Sequence, residues 1–568
     1  MSDREFDVVV IGGGTSGCVL AARLSEDPHR QVALVESGSD YSRSQEPATV
    51  LDTFPTSMTD SRFLWPDLKV SQREFDGHPE PPSGYTQPRA LGGGSMVMGM
   101  HALRGLPSDF DEWRDSGASG WGWDDLWPYF RKMERDLENS GPDYGDCGPI
   151  PMWRHDPDKW APFARAVAAA LESKGLRQGR DINNERGDGV FPMPYNANPS
   201  HRVTIPSAYL TPEVRKRQNL SIITDTFARR LVFDGRRASA IEIERHGQKS
   251  LLRAKEFVVS CGAIQSPALL LRSGVGPAAH LRDRGCDIVH DLPGVGSHLL
   301  NHPMMRLAAR LKRGQRHPKT TRPHGNSVVR YSSGLAGCHP SDMCILVLGK
   351  SSWHSVGATI AALAVSVYKS YSEGTVRLSR SPNETMPVVE FRHLSDERDL
   401  ERMTDAFVFS TGILADPRVS ALITEPFIPN SSPWINRLAT PTWRSAALSR
   451  LANSAMDALP PVEKHLMRLV GVSVADKVAR DEIKQFVFET TVGMYHPSGT
   501  CRMGASESPT TVVAPDCRVL GLANVSVADA SIMPSIPRAN TFLSSVVIAE
   551  RAAAIMHANH QAHRAPHS

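Results

Sequence analysis

Two widely separated tracts carry groups capable of chemistry. Near the start, Gly12-Gly13-Gly14-Thr15-Ser16-Gly17 sets Gly12, Gly14 and Gly17 at G-x-G-x-x-G spacing. In such a loop the first glycine permits a tight turn, the second lets a pyrophosphate reach the backbone, and the third lets helix pack on strand. The free N–H groups where the helix opens, at Thr15 and Ser16, then face the phosphates with the positive end of the helix dipole. Glu36 follows nineteen residues beyond Gly17, where a carboxylate can accept from both ribose hydroxyls. This is the chemistry of holding a dinucleotide, NAD or FAD, and the spacing does not choose between them. Near the other end, Tyr495-His496-Pro497-Ser498-Gly499-Thr500-Cys501-Arg502-Met503-Gly504 places one histidine among small and polar residues. A neutral imidazole is a natural acceptor for an alcohol proton, although a lone loop histidine is more often structural. Asn540 opens the last apolar helical run and is equally suited to cap it.

The sequence around each group supplies elements to hold it. Phe6–Ile11 is a β-branched apolar run of the kind that makes a buried parallel strand, residues 18–24 have apolar side chains at helical spacing, and residues 31–35 form a second strand ending at Glu36. A second glycine tract, Leu91-Gly92-Gly93-Gly94-Ser95, runs on through Met98. It either caps a short helix or brings backbone N–H groups close to a flat or anionic ligand, since no Cβ blocks the approach. Residues 257–267 repeat the strand-to-turn pattern, and a doubly wound sheet gathers such turns along one edge. Strands are also expected at 220–224, 230–233, 240–244 and 525–527, the last leading into Asp529 and Ala530. Between about 304 and 489 the composition changes: strand-like runs at 343–348, 359–368 and 374–378 precede a helical pattern at 397–414 and a Pro/Trp-rich section at 426–443. That middle third reads as a second domain inserted between pieces of the first.

Bulk properties exclude several classes. The 568 residues are too many for one simple core. Lys plus Arg number 64 against 61 for Asp plus Glu, a net charge of +3 with no long basic block, so nucleic acid is not implied as a partner. Eight cysteines are scattered without C-x-x-C or zinc spacing, which fits reduced thiols and a cytoplasmic location better than a disulfide framework. No apolar stretch approaches the roughly 20 residues of a membrane span, and the first strand begins too early to leave room for a signal peptide. The tail histidines His557, His560, His563 and His567 read as a solvated terminus rather than a metal site.

Several motifs recur in this order in the glucose-methanol-choline oxidoreductases: the first glycine loop, Leu91 to Ser95, residues 262–276, Gly294-Val295-Gly296-Ser297-His298-Leu299 with His302-Pro303, the His496 to Gly504 block, and Asp529 to Pro534. The chain resembles that family over nearly its whole length. Within it, Phe63 to Pro66, Arg104 to Pro107 with Asp109 to Trp113, and Ala528 to Thr541 are most similar to bacterial 5-hydroxymethylfurfural oxidases and related aryl-alcohol oxidases. The resemblance implies an α/β architecture: a Rossmann-like FAD-binding domain, discontinuous over 1–155, 205–303 and 490–568, with an inserted α+β substrate-binding domain at 156–204 and 304–489. It implies FAD on Gly12, Gly14, Thr15, Ser16, Gly17 and Glu36, with Leu91, Gly92, Gly94, Ser95, Met98, Ala228, Asp529, Ala530, Asn540 and Thr541 completing the cofactor site. It places His496 and Asn540 at the catalytic positions, and Tyr495 and Val367 in the substrate pocket. The implied reaction passes a proton from a primary alcohol, aryl or furanic by preference, to His496 and a hydride to flavin N5; oxygen or another acceptor takes the electrons. Choline-type and aliphatic alcohols are the alternative substrates, and hydroxynitrile lyases and photodecarboxylases share the fold. Val97 stands where some members carry a histidine bonded to flavin, so non-covalent FAD is expected. Met98 stands where an asparagine or histidine is common, and a thioether donates no hydrogen bond.

Overall fold

Continuous apolar character makes Phe6–Ile11 the central strand of the molecule. In the computed structural model, Val8 to Ile11 are fully buried, and the strand lies parallel to Val32–Val35 on one side and to Gln248–Val259 on the other. Burial on both faces is what selects an unbroken run over an alternating one. Leu220–Ile223 and Val525–Val527 extend the parallel set at its two edges. The structure describes residues 5–42, 46–317, 322–381, 384–430, 435, 438–474 and 479–564, with side chains to 561.

The runs expected at 230–233 and 257–260 are parts of longer strands, Thr226–Asp234 and Gln248–Val259. The latter gives its first half to an antiparallel meander with Arg237–Arg245 and its second half to the parallel set. Its meander half alternates exposed and buried side chains, which hides it from a search for apolar runs. The parallel strands aim their C-terminal ends at one edge, so the turns after Ile11, Val259 and Val527 meet there. Helix Thr15–Leu24 leaves the first turn. Gly17 lets it do so, because a Cβ there would lie 1.8 Å from the Gly12 carbonyl oxygen.

A second, antiparallel sheet is built mainly from the middle of the chain: Pro303–Arg310, Ile360–Val367, Met343–Leu348, Gly325–Tyr331 and Gly189–Pro192 pair in that order. Phe427–Pro429, Gly471–Ser473 and Val492–Gly493 complete its other edge. Strand alternation gives the sheet two different faces. Met305, Leu307, Val365 and Val367 pack with Phe163, Met403, Phe407 and Phe486 from helices Pro162–Glu172, Glu397–Ala415 and Arg480–Thr490. Met304, Ala308, Leu346, Ala362 and Ala364 belong to the opposite face. Helices Trp443–Ala458 and Pro460–Val470 were not foreseen. The Pro460-Pro461 pair opens the second of them, where proline's missing N–H costs nothing.

The final helix runs over Thr541–Arg564 and packs along Thr15–Leu24. In its last turns His557 Nε2 donates to the Arg23 carbonyl at 3.0 Å. The His563 side chain and His567 lie outside the described residues, among which no group of three or more potential metal ligands occurs. All eight cysteines are free, and no described helix is long and apolar enough to cross a membrane.

The clearance at Gly17 makes a sharp expectation. Gly17→Ala must push the helix off the strand, a strain of about 3 kcal/mol. Calorimetry should show a lowered unfolding midpoint; an unchanged midpoint would mean the loop is slack.

Candidate active site

One cavity of about 740 Å³ runs from the glycine loop to the second sheet. At its first end Gly14 caps helix Thr15–Leu24 with no side-chain cap and no acid in the first turn, leaving the terminal N–H groups free for an anion. A Cβ on Gly14 would touch nothing within 4 Å, so the approach to this backbone is open. Beside it, the Glu36 carboxylate accepts from the N–H groups of Gly13 and Gly38, both at 2.7 Å. Burial pushes this carboxyl up to about 7 against the pull of those two donors.

The turns along the sheet edge are tied to one another. Gly92 N–H donates to the Gly13 carbonyl at 2.7 Å, and Ser95 Oγ donates to Gly92 and accepts from Ile205 N–H. Asp529 accepts from Gly262 N–H at 2.8 Å, Ser266 Oγ at 2.6 Å and Ser531 N–H at 2.7 Å, joining the turn after Val259 to the turn after Val527. Its burial raises the carboxyl's pKa and the three donors oppose the rise. Arg202, which the sequence did not single out, donates to the carbonyls of Ser95 and Met98 and so fixes the second glycine turn.

At the far end of the cavity, His496 is held on both ring nitrogens. His302 Nε2 lies 3.1 Å from the Pro537 carbonyl, which can only accept, so this nitrogen carries the proton. In the neutral ring His302 Nδ1 is then an acceptor, and it lies 2.8 Å from His496 Nδ1. His496 Nδ1 is therefore the donor of that pair, and His496 Nε2 is left with a free lone pair. Asn540 Nδ2 donates to that lone pair at 3.1 Å, while Asn540 Oδ1 accepts from the Tyr368 hydroxyl at 3.2 Å. Both ends of the Asn540 amide are thus engaged away from helix capping. Tyr368 stacks on His302 with ring centroids 4.6 Å apart, and Asn301 Oδ1 accepts from the His302 and His496 backbone N–H groups. Tyr495 holds left-handed backbone, φ 63°, as the chain turns to bring His496 in.

The segment carrying Pro537 and Asn540 is clamped from two sides. Arg538 donates through Nε to Asp109 at 2.8 Å and through Nη1 to the Pro340 carbonyl. Lys369 donates to Ser535 Oγ and to the Ile536 carbonyl, and Trp113 Nε1 donates to the Ser535 carbonyl.

Of the residues singled out by sequence, Gly12, Gly14, Thr15, Ser16, Glu36, Gly94, Ser95, Met98, Ala228, Tyr495, His496, Asp529, Ala530, Asn540 and Thr541 line this one cavity. Gly17, Leu91 and Gly92 do not. Gly17 packs helix on strand, Leu91 is buried against Gly13, and Gly92 joins the two loops. Val367 needs a correction as a pocket residue: alternation along Ile360–Val367 turns it into the core behind the sheet, where it is fully buried. His302 was noted only as part of a motif, and Tyr368 and Arg202 carried no local signal.

Comparison with known proteins agrees with this layout. Family models described as GMC oxidoreductase match residues 6–304 and 370–549. The 5-(hydroxymethyl)furfural oxidase of Methylovorus sp. (strain MP688) is 34% identical over 564 residues, 97% of this chain and 99% of that protein. An oxygen-dependent choline dehydrogenase of Brucella canis is 30% identical, covering 96% and 95%. Among solved structures, pyridoxine 4-oxidase from Mesorbium loti superposes with a TM-score of 0.80 at 26% identity, over 98% of this chain and 99% of that one. A fungal aryl-alcohol oxidase shares the fold, with a TM-score of 0.75 at 19% identity over 99% and 100%.

The buried imidazoles make stability depend on pH. Burial holds His302 down to about 3 and His101 to about 4, and burial with His302 and His101 nearby holds His496 well below the usual range. Unfolding returns these rings to ordinary values near 6.5, so stability is full above that pH and falls as acid favours the protonated unfolded chain. Each such ring contributes up to about 1.4 kcal/mol per pH unit between roughly 6.5 and its native value. Denaturant titrations at pH 7.5 and 5 should give clearly lower stability at pH 5, and His302→Asn should reduce that slope.

Proposed function

Because the chain belongs to the GMC oxidoreductases, FAD-dependent enzymes that oxidise alcohols, we propose that it converts a primary alcohol of aryl or furanic type to the aldehyde, with His496 as base and Asn540 as orienting donor. The pairing at His496 carries this reading. Asn540 Nδ2 is a donor and His496 Nε2 an acceptor, 3.1 Å apart, and a hydroxyl is both acceptor and donor. An alcohol entering between them accepts from Asn540 and donates to His496.

The residues present fit FAD. Uncapped N–H groups at Gly14 to Ser16 suit the pyrophosphate, Glu36 suits the adenosine ribose, and Ala228 suits the adenine. The turn Gly94 to Met98, with Ala530 and Thr541, suits the flavin end, and buried Val97 offers no group for a covalent bond. Bound there, FAD supplies a hydride acceptor at flavin N5. The division into a discontinuous FAD-binding domain and an inserted substrate-binding domain belongs to the same proposal.

The chain's own residues handle the proton. His496 Nε2 takes it from the hydroxyl, and the charge that develops on the ring is met at Nδ1 by the His302 lone pair. Asn540 N–H stays on the substrate oxygen as alkoxide character grows. Burial, which keeps His496 neutral at rest, keeps the base ready at ordinary pH. Met304, Leu346, Ala362, Ala364 and Phe427 give this end of the cavity an apolar wall, which suits an aromatic ring.

Anaerobic stopped-flow tests the reading. With a furanic or benzylic alcohol, His496→Ala should slow flavin bleaching by about 10²- to 10⁴-fold while flavin content stays constant. Asn540→Ala should slow it less. Bleaching that is unaffected by His496→Ala would remove the base assignment, and admitting oxygen afterwards separates oxygen from other acceptors.

A further inference from the structure

We infer that the pocket takes an alcohol whose far end carries a carboxylate, and that Arg306 is the residue that binds it; this rests on the alcohol reading above. Arg306 sits on strand Pro303–Arg310, four residues beyond His302. Alternation puts it on the cavity face with Met304 and Ala308, and it lines the cavity. Both of those neighbours are buried, whereas Arg306 is exposed in this otherwise buried stretch, so its guanidinium projects into open space. Its cross-strand partner is Ala364, which offers no charge and fills little volume.

The Arg306 side chain has no hydrogen-bond or ion-pair partner among the described residues. Other arginines of this sheet do: Arg310 pairs with Asp457 and Glu463, and Arg330 donates to the carbonyls of Ile182, Glu185 and Gly187. The carboxylates lining the described cavity are Glu36 and Asp529, both held by N–H donors at the dinucleotide end. Lys350 and His101 line the same cavity, and the His101 Nε2 atom is buried with no partner. Burial first, then His101, Lys350 and Arg306, drives neighbouring His324 toward its neutral form.

An exposed guanidinium with no protein partner offers its planar fork to an anion that can take two parallel bonds. The strand rise sets Arg306 about 13 Å from His302 along the backbone. A ring bearing a hydroxymethyl group on one side and a carboxylate on the other spans such a site with the arginine side chain reaching back. A quaternary-ammonium alcohol would instead meet like charge.

The matched pair 5-(hydroxymethyl)furan-2-carboxylate and its methyl ester tests this on the holoenzyme. The acid should be preferred by about tenfold or more in kcat/KM, through KM, with the preference shrinking as salt is raised. Arg306→Met should lower kcat/KM for the acid by about 10- to 100-fold and leave the ester within about threefold, with Arg306→Lys in between. Equal use of acid and ester, or equal loss of both in Arg306→Met, would overturn the assignment. Furan-2-carboxylate, which has no carbinol, gives a second readout by calorimetric titration: binding at least about tenfold weaker in Arg306→Met supports the site, and unchanged binding refutes it. If furan-2-carboxylate binds through Arg306 but neither alcohol bleaches the flavin, the alcohol reading fails and the anion site stands. If both alcohols are oxidised without discrimination, the reverse holds.

Discussion

The hydrogen bond between His302 and His496 governs what this site can do. Two imidazole nitrogens 2.8 Å apart cannot both carry protons, and the Pro537 carbonyl decides which one does by claiming the far proton of His302. The result is a single tautomer at His496, with the lone pair of Nε2 facing Asn540 and the cavity. Among the described residues, the partners of the His496 ring are His302 and Asn540, both uncharged. The His496 ring is oriented by neutral groups, which suits a buried imidazole whose charged form is costly. A carboxylate in place of His302 would favour the imidazolium at rest and spoil the acceptor.

That arrangement needs three distant pieces of chain at one place. His302 comes at the entry to the second sheet, His496 from the loop after Val492–Gly493, and Pro537 with Asn540 from the segment before the last helix. Pairing of Pro303 with Gly493 brings the first two together. The third is fixed by Arg538, whose buried guanidinium is satisfied by Asp109 on one side and the Pro340 carbonyl on the other. Asp109 belongs to helix Pro107–Asp115, packed in the dinucleotide half, and Pro340 lies just before strand Met343–Leu348 of the second sheet. The clamp thus registers both halves against the active site, and a buried charge pair with directional bonds suits that task better than apolar packing.

Legibility in the sequence follows the range of the forces. The glycine loop and Glu36 could be read directly because strand, turn, helix and strand are successive and each imposes its own pattern over a few residues. His496 and Asn540 were legible as residue types, but their partnership spans 44 positions and became meaningful only through family resemblance. His302 lay inside a recognised motif without a role, since its function depends on a carbonyl 235 residues away. Val367 shows the opposite failure. Every residue of Ile360–Val367 is buried, so composition cannot tell the cavity face from the core face, and only the register of the sheet does.

The cavity's two ends follow opposite electrostatic rules. At the dinucleotide end, Glu36 and Asp529 are buried carboxyl groups held by N–H donors, and Arg202 donates through Nη1 to two carbonyls. Such a site recognises a fixed cofactor by shape and by the few N–H groups it leaves open. At the other end the floor is alanine, leucine and methionine, and its one strand-borne charge, Arg306, has no described protein partner. That charge is open to whatever enters the cavity. That end of the cavity is built from the second sheet, at positions remote in sequence from the glycine loop and independent of the tautomer that sets up His496.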